Sequence, residues 1–465
     1  MVLLVLVIVT LGVMPAAWAQ DPFPAPIAAD RAVLTVRVRP FATIPGQDGA
    51  APRLMTLVDH AASRRLFVSD MRGPIYTVSH DGRTVRPYVD VSAPEWGVMV
   101  QSGGRERGVQ GLALHPQFGQ RGAPGYGKFY TFTDTSNTRP AADFRPAGGS
   151  RTHDTVLLEW TARSPEGATY DGGPPREVVR FEQPFGNHNG GLVAFNPTAA
   201  PGTPDYGLLY VANADGGSGG DPLDMAENLG SAFGKLLRID PLGTNSRNGK
   251  YGVPADNPFV AKPRPGALGE IYAYGIRNGQ RFAWDSKTGN LFLADIGQNQ
   301  IEEVDLVRAG ANLGWNTWEG SYRFAGGRIE RASPRSDPQV TYPVVEYGHG
   351  DSLLQSQVAV TMGGVYRGSA IAALKDLLIF GDNPSGEIFS VNADSLPQGG
   401  QDAIRRILLS EGSGPGQTLL ALIQAENARQ GTRGASRADL RFGVGAGDQI
   451  FLLNKADGVL RVLTP

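Results

Sequence analysis

Short apolar runs that end in, or beside, an acidic or amide residue recur along the whole chain. They are rich in β-branched and aromatic residues and lie roughly 60 to 90 residues apart, the length of one four-stranded unit with decorated loops. The runs are residues 66–70, 129–134, 208–213, 291–295, 377–382 and 450–454. This pattern predicts an all-β protein, a six-bladed β-propeller. Because the blades of a propeller surround one channel, polar residues at strand ends can converge there.

Composition supports this interpretation and excludes some functions. The chain has 62 glycines and 34 prolines, which is typical of a turn-rich all-β protein. Its 43 basic and 45 acidic residues give a net charge of −2 without a basic block, so nucleic acid is not an expected partner. The absence of cysteine excludes disulfides and thiolate metal ligands.

The N-terminal end predicts export. Residues 1–19 are mostly apolar and close with Ala17-Trp18-Ala19, the small-residue pattern of a signal peptidase site, although no basic residue precedes the apolar core. A membrane anchor is the alternative, but Gly12 and Pro15 interrupt a stretch that falls short of the ~20 residues of a span. We therefore expect a signal peptide, no stable membrane span, and a periplasmic or secreted protein.

The rest of the chain divides into a leader and one domain. Residues 20–50 form a Pro/Ala-rich leader with one strand-like alternation at 33–38, which could close the last blade. Residues 51–465 form the propeller. Two stretches, 137–151 and 410–438, interrupt the strand pattern as lids or surface insertions, and the second carries a helical pattern at 419–428.

A histidine and an aspartate follow strands in the middle of the chain. His188 lies in a glycine-flanked turn that leaves its imidazole uncovered, and Asp215 follows the 208–213 run, where a carboxylate can orient a histidine. The alternative is that His188 has a structural role and caps the turn. Ser218 lies in a formal Gly-x-Ser-x-Gly match, but a serine hydrolase elbow needs a strand, a sharp turn and a helix, which an all-β glycine loop does not provide.

Two further segments carry candidate binding residues. Arg277 and Asn278 lie between two predicted strands, where a forked guanidinium can hold an anion or a developing oxyanion, or form an ordinary salt bridge between blades. The run 295–303 offers carbonyls around Gly297 and the carboxylates of Glu302 and Glu303. These all-oxygen ligands suit calcium, although such a run is usually a solvated turn.

The sequence resembles the glucose/sorbosone dehydrogenase family. Its soluble quinoprotein members oxidise aldoses with pyrroloquinoline quinone and calcium on a six-bladed propeller. The matching segments follow one another in the family order over nearly the whole mature chain: RGVQGLALHP (107–116), HNGG (188–191), GKLLRID (234–240), DNPF (256–259), YGIRN (274–278), DIGQN (295–299), NLGW (312–315) and GGVYRG (363–368).

The resemblance implies roles for individual residues. His188 would be the general base that takes the proton of the sugar's anomeric hydroxyl, and Asp215 would orient it. Arg277 and Asn278 would bind the quinone, and the arginine would stabilise the oxyanion that develops there. The carbonyls of Gly297 and Gln298 would hold calcium. Arg441 would take a carboxylate of the cofactor.

The chain also departs from the family pattern around the cofactor. Ile296 replaces a glutamine before the calcium-binding glycine, the segment 382–386 has no counterpart of the cofactor lysine, and Asp439 stands where one of two late arginines is expected. Each charge-assisted bond lost costs about 1.5 to 3 kcal/mol, so cofactor affinity would fall.

The sequence therefore predicts an exported, quinone- and calcium-dependent sugar dehydrogenase that passes electrons to a periplasmic acceptor. The alternative is a non-catalytic propeller that binds a carbohydrate or a protein at the same channel face.

Overall fold

The structure is a computed structural model that describes residues 22–30, 32–138, 140–354 and 357–465. The predicted signal peptide, residues 1–19, lies outside the described residues. Within the described part of the chain, no helix is long and apolar enough to cross a membrane.

Nearly all regular structure is β-strand, beginning with β1 (Leu34–Thr43). The following strands form antiparallel groups of four in chain order, apart from a small hairpin sheet inserted in the fourth group. The first three groups are β2 (Leu54–His60), β3 (Arg65–Asp70), β4 (Pro74–Ser79) and β5 (Val85–Asp90); β6 (Val109–Leu114), β7 (Lys128–Thr135), β8 (His153–Thr161) and β9 (Arg176–Gln183); and β10 (Val193–Phe195), β11 (Leu209–Asn213), β12 (Lys235–Ile239) and β13 (Ile271–Tyr274).

The second half of the chain continues the same arrangement. Its strands are β14 (Arg281–Trp284), β15 (Leu291–Asp295), β16 (Ile301–Val307), the small sheet β17 (Trp318–Glu319), β18 (Tyr322–Ala325) and β19 (Arg328–Glu330), then β20 (Val345–Gly348), β21 (Val360–Tyr366), β22 (Leu377–Asp382), β23 (Ile388–Asn392), β24 (Arg405–Ser410), β25 (Arg441–Val444), β26 (Ile450–Leu453) and β27 (Val459–Thr464). Helices are few: α1 (Pro258–Ala261), α2 (Leu419–Arg429) and single 3₁₀ turns at Ala61–Ser63, Pro94–Trp96, Ala372–Leu374 and Ala446–Asp448.

The N-terminal strand joins the two ends of the described chain. β1 pairs antiparallel with β27, with Val38 opposite Leu463, and parallel with β24. β25 in turn bridges to β2 through Val444 and Val58, so three groups share one twelve-stranded sheet. The leader thus contributes a strand beside β27, as the alternation at 33–38 predicts.

The apolar runs are continuous because each sheet is covered on both faces. In β7, Phe129 packs towards Tyr88 and Trp160, whereas the next residue, Tyr130, packs towards Phe181 in the neighbouring cluster. A strand buried on both faces shows a nearly unbroken apolar run instead of strict alternation. The six runs noted in the sequence are β3, β7, β11, β15, β22 and β26, the second strand of each group.

The first strands of the groups contact one another across group boundaries. β2 contacts β6 and β25, β6 contacts β10, and β21 contacts β14 and β25. This arrangement is propeller-like, and it brings loops that precede the first strands together around one cavity.

Candidate active site

A cavity of about 260 Å³ lies among the loops that lead into the first strands. It is lined by six of the nine site residues predicted from the sequence: His188, Arg277, Asn278, Gly297, Gln298 and Arg441. Its size is near the lower end of the ~300 to 1,000 Å³ typical of ligand sites, so it fits one small ligand.

His188 and Asp215 form a buried hydrogen-bonded pair. His188 Nδ1 lies 2.7 Å from Asp215 Oδ1, and both side chains are less than a twentieth exposed. Asp215 is fixed in turn, because its Oδ2 accepts from the Trp315 indole at 2.9 Å and its Oδ1 accepts from the Gly217 N–H at 2.9 Å. Since a carboxylate only accepts, Nδ1 carries the hydrogen, and Nε2 of a neutral His188 is free to take a proton.

Glu106 supports this turn and was not identified in the sequence. Its Oε2 accepts from the His188 backbone N–H at 2.8 Å and from Asn278 Nδ2 at 3.4 Å. His188 has a φ of 54°, an uncommon conformation for a residue with a side chain, which this contact helps to hold. Glu106 directly precedes the RGVQGLALHP segment (107–116), but only the fold reveals that it reaches a loop 82 positions away.

Arg277 is held by the loop that follows β15. Its Nη1 donates to the carbonyls of Ile296 and Gly297, both at 2.7 Å, while Nε and Nη2 donate to Gln298 Oε1 at 3.1 and 3.0 Å. The guanidinium also lies 5.5 Å from the ring centre of Trp315, the residue that bonds Asp215. The arginine is therefore rigidly oriented at the cavity beside the histidine pair.

A buried carboxylate below the cavity fixes the backbone of Arg277 and Asn278. The two oxygens of Asp295 accept from the N–H groups of Arg277 at 2.8 Å and Asn278 at 2.6 Å. Burial raises the pKa of Asp295 in spite of these bonds. Asp295 ends β15, so the strand end positions both binding residues.

The predicted metal residues do not come together. Gly297 and Gln298 line the cavity, but Glu302 and Glu303 belong to β16 and are buried, not part of an exposed loop. Glu302 accepts from His349 Nε2 at 2.7 Å and from the Val360 N–H at 2.7 Å. Burial, together with the charge of Asp305, raises the pKa of Glu303. The expectation that 295–303 forms one open calcium loop is thus wrong for its second half, because strand pairing begins at Ile301.

Two features were not expected at the cavity. One is His349, which lines it with Glu302 as partner. Burial alone would lower the pKa of His349, but the bond to Glu302 outweighs it and the pKa is raised. The other is a pair of cations, Arg437 and Lys455, which lie around Asp439 together with the predicted Arg441.

The polar atoms that remain unsatisfied indicate what the cavity accepts. Arg441 Nε and Asn278 Oδ1 are buried without a hydrogen-bond partner, and both residues line the cavity. Arg441 Nε is a donor and Asn278 Oδ1 is an acceptor, and buried polar atoms are costly to leave unpaired. They point to a ligand that offers an anionic oxygen to the arginine and a hydrogen-bond donor to the asparagine. Within the described residues no three His, Cys, Asp or Glu side chains are grouped as a metal would require.

Known proteins resemble this chain in sequence and in fold. A family model described as Glucose / Sorbosone dehydrogenase matches residues 51–398. The HIPL2 protein of Arabidopsis thaliana is 29% identical over 343 residues, covering 67% of this chain and 48% of that protein. The mouse (Mus musculus) Hedgehog-interacting protein is 28% identical over 228 residues, covering 48% of this chain and 29% of that protein. The chain therefore spans about half the length of the HIPL2 protein and less than a third of the Hedgehog-interacting protein.

Among solved structures, the PQQ-bound form of an aldose sugar dehydrogenase from Streptomyces coelicolor aligns with a TM-score of 0.54 and 19% identity, covering 92% of this chain and 97% of that one. At that identity the likeness shows the shared fold.

Proposed function

Because the chain belongs to the glucose/sorbosone dehydrogenase family, we propose that it oxidises an aldose at the anomeric hydroxyl, with pyrroloquinoline quinone bound in the central cavity. The observation that carries the proposal is the 2.7 Å His188–Asp215 pair, whose histidine lines a cavity together with Arg277, Asn278 and Arg441. A base, an orienting acid and anion-binding groups are the elements that this reaction requires.

His188 is the proton acceptor in this proposal. Asp215 holds the hydrogen on Nδ1, so Nε2 takes the proton of the anomeric hydroxyl, and Asp215 stabilises the imidazolium that results. When bound, the quinone supplies the acceptor for the hydride that leaves the anomeric carbon. Arg277, fixed by Gln298 and two carbonyls, places positive charge beside the reacting groups without reorganisation.

The donor set fits the quinone better than it fits calcium. Arg441 Nε is an unsatisfied donor that a carboxylate of the quinone can accept from. The Gly297 carbonyl, in contrast, already accepts from the Arg277 guanidinium at 2.7 Å, and a calcium ion at that oxygen would face a positive charge. Calcium at this carbonyl therefore has no role in the proposed reaction and remains a prediction of the family resemblance.

Metal removal tests whether the Gly297 carbonyl binds the Arg277 guanidinium or a calcium ion. We expect a chelator to leave the melting temperature of the quinone-free protein unchanged, because Arg277 holds the loop. A lower melting temperature in the chelator, restored better by Ca²⁺ than by Mg²⁺, would instead support calcium at Gly297.

The number of blades and the cellular location are also proposals. We infer six blades from the six groups of four strands, with β1 completing the last group, and export from the apolar 1–19 segment. An exported dehydrogenase of this kind would pass its electrons to a periplasmic acceptor.

Dye reduction tests the proposal. Purified protein is supplied with the quinone in a calcium-containing buffer, and reduction of an artificial electron acceptor is followed with a panel of aldoses. We expect reduction that requires both the quinone and an aldose. Binding of the quinone without any sugar-dependent reduction would contradict the enzymatic proposal.

The second candidate is a non-catalytic propeller that binds a carbohydrate or a protein through this cavity. Asp439 favours it, since a carboxylate at the cavity opposes a tricarboxylate ligand. The likeness to the Hedgehog-interacting protein, whose name describes a binding function, points in the same direction. The dye assay distinguishes the two candidates.

A further inference from the structure

The cavity contains cations that the family resemblance did not assign. Arg437 and Lys455 line it together with Arg441, and we call these three residues the cationic wall. Arg437 lies in the 410–438 excursion, and Lys455 lies in the hairpin turn between β26 and β27.

The turn that carries Lys455 is rigid. Asn454 is buried, and its Oδ1 accepts from the N–H groups of Ala456 at 2.8 Å and Asp457 at 3.0 Å, which is an Asx-type turn. Asn427 of α2 donates from Nδ2 to the Ala456 carbonyl at 3.1 Å. Lys455 is thus held between fixed neighbours on either side.

The Lys455 ammonium has spare hydrogen-bonding capacity. Within the described part of the chain, Nζ donates to one acceptor, the Arg105 carbonyl at 2.9 Å, which leaves two of its three hydrogens for a ligand. Burial, followed by the charge of Arg441, lowers the pKa of Lys455. An anion bound beside it would relieve that repulsion.

Arg437 lies where the sequence lacks a lysine. Its Nη2 donates to Asn383 Oδ1 at 3.3 Å, in the 382–386 loop, and Nε and Nη2 bond Asp439 Oδ1 at 3.0 and 2.9 Å. Nη1 also donates to Gln357 Oε1, so the guanidinium neutralises the unexpected aspartate and keeps one of its five hydrogens for a ligand beside that loop. The same helix residue that holds the Lys455 turn also holds this segment, because Asn427 Oδ1 accepts from the Ala435 N–H at 3.0 Å.

We propose that Lys455 and Arg437 supply the cationic ligands for the carboxylates of the cofactor, in place of the lysine missing from 382–386 and the arginine replaced by Asp439. This inference rests on the proposed function. It also gives the 410–438 excursion a role: α2 anchors, through Asn427, both segments that deliver these cations. The chain keeps a positively charged wall although its cations come from different positions.

Direct binding of the quinone tests the proposal without any turnover. Equilibrium dialysis of pyrroloquinoline quinone, in a calcium-containing buffer without sugar, is followed by the absorbance of the quinone. We expect Lys455→Met and Arg437→Met each to weaken binding about 10- to 100-fold, the loss of one charge-assisted bond. The matched control is Lys262→Met, an exposed lysine outside the cavity, with unchanged affinity.

A variant that is expected to strengthen quinone binding tests the inference even if Lys455→Met or Arg437→Met impairs folding. Asp439→Asn removes the acid that competes for Arg437, so it should tighten binding, by several-fold. Equal binding by the parent and Lys455→Met, or weaker binding by Asp439→Asn, would overturn the inference while leaving the proposed function standing. A parent that binds no quinone would overturn both.

Discussion

Two sides of one cavity are built differently. On the first, which we call the histidine wall, His188, Arg277 and Asn278 line the cavity and Asp215 lies behind His188. These four residues are fixed by short bonds to backbone groups and carboxylates. The cationic wall depends on long side chains that reach in from an excursion and a hairpin turn. The contrast indicates that proton transfer demands one geometry, whereas carboxylate binding demands charge, which several positions can supply.

The largest expected effect is the loss of His188. His188→Ala should lower sugar-dependent dye reduction by about 10²- to 10⁴-fold, because it removes the general base, while the quinone dissociation constant changes little. Steady-state kinetics and dialysis on the same preparation measure the two quantities.

Two controls sharpen the assignment of the base. His80→Gln disrupts a similar histidine–aspartate pair, 2.6 Å from Asp59 and outside the cavity lining, and should retain parent activity. His349→Gln tests the second histidine of the cavity. If His349→Gln loses activity to the extent expected for His188→Ala, and His188→Ala does not, the base has been assigned to the wrong histidine.

A smaller effect is expected from Arg277→Lys, which keeps the charge but loses the fork. A lysine cannot bond Gln298 and the Ile296 and Gly297 carbonyls together, so quinone affinity and turnover should both fall, by roughly 10- to 100-fold. The same dialysis and dye assays measure them. A change in turnover alone would assign Arg277 to catalysis and leave binding to the cationic wall.

The smallest effect concerns the sheet below the histidine wall. Asp305 on β16 is fully buried with both carboxylate oxygens unpartnered, and burial, with the charges of Asp295 and Glu346, raises its pKa well above the ordinary 3.8. The folded protein therefore retains a proton that the unfolded chain releases above about pH 4, and stability falls as the pH rises towards the raised pKa.

Asp305→Asn should remove that pH-linked loss. We expect the variant to be more stable than the parent at pH 8, by about 1 to 3 kcal/mol, with a flatter dependence of melting temperature on pH between 4 and 8. Asp81→Asn is the matched control, because a hydrogen bond from Ser79 lowers the pKa of this exposed carboxyl, so its loss gives no gain at pH 8. A destabilised Asp305→Asn would show that the carboxylate is ionised and paired.

The sequence predicts the fold and the histidine wall for the same reason. Apolar runs of strand type are local signals, and each of the six runs is a strand; the helical pattern at 419–428 is α2. His188 and Asp215 lie next to such strands, so their meeting follows from the topology. Glu302 and Glu303 were misjudged because an acidic pair beside a glycine loop has the same composition in a turn as at the start of a buried strand.

Two of the three residues of the cationic wall could not be predicted in this way. Lys455 and Arg437 belong to a turn and an excursion, and only the packing of α2 brings them to the cavity through Asn427. Glu106 was missed because its partners, His188 and Asn278, are far from it in sequence. Contacts of this kind depend on how the groups of strands close on one another, which no local pattern reports.

The central claim is that His188 and the bound quinone act on one sugar molecule in this cavity. Anaerobic rapid mixing of quinone-loaded protein with an aldose tests it most directly, by following the absorbance of the bound cofactor through a single turnover. We expect reduction of one equivalent of quinone per site in the parent, and reduction at least about 10²-fold slower in His188→Ala at equal occupancy. Bound quinone that stays oxidised in the parent, or is reduced equally fast in both proteins, would contradict it.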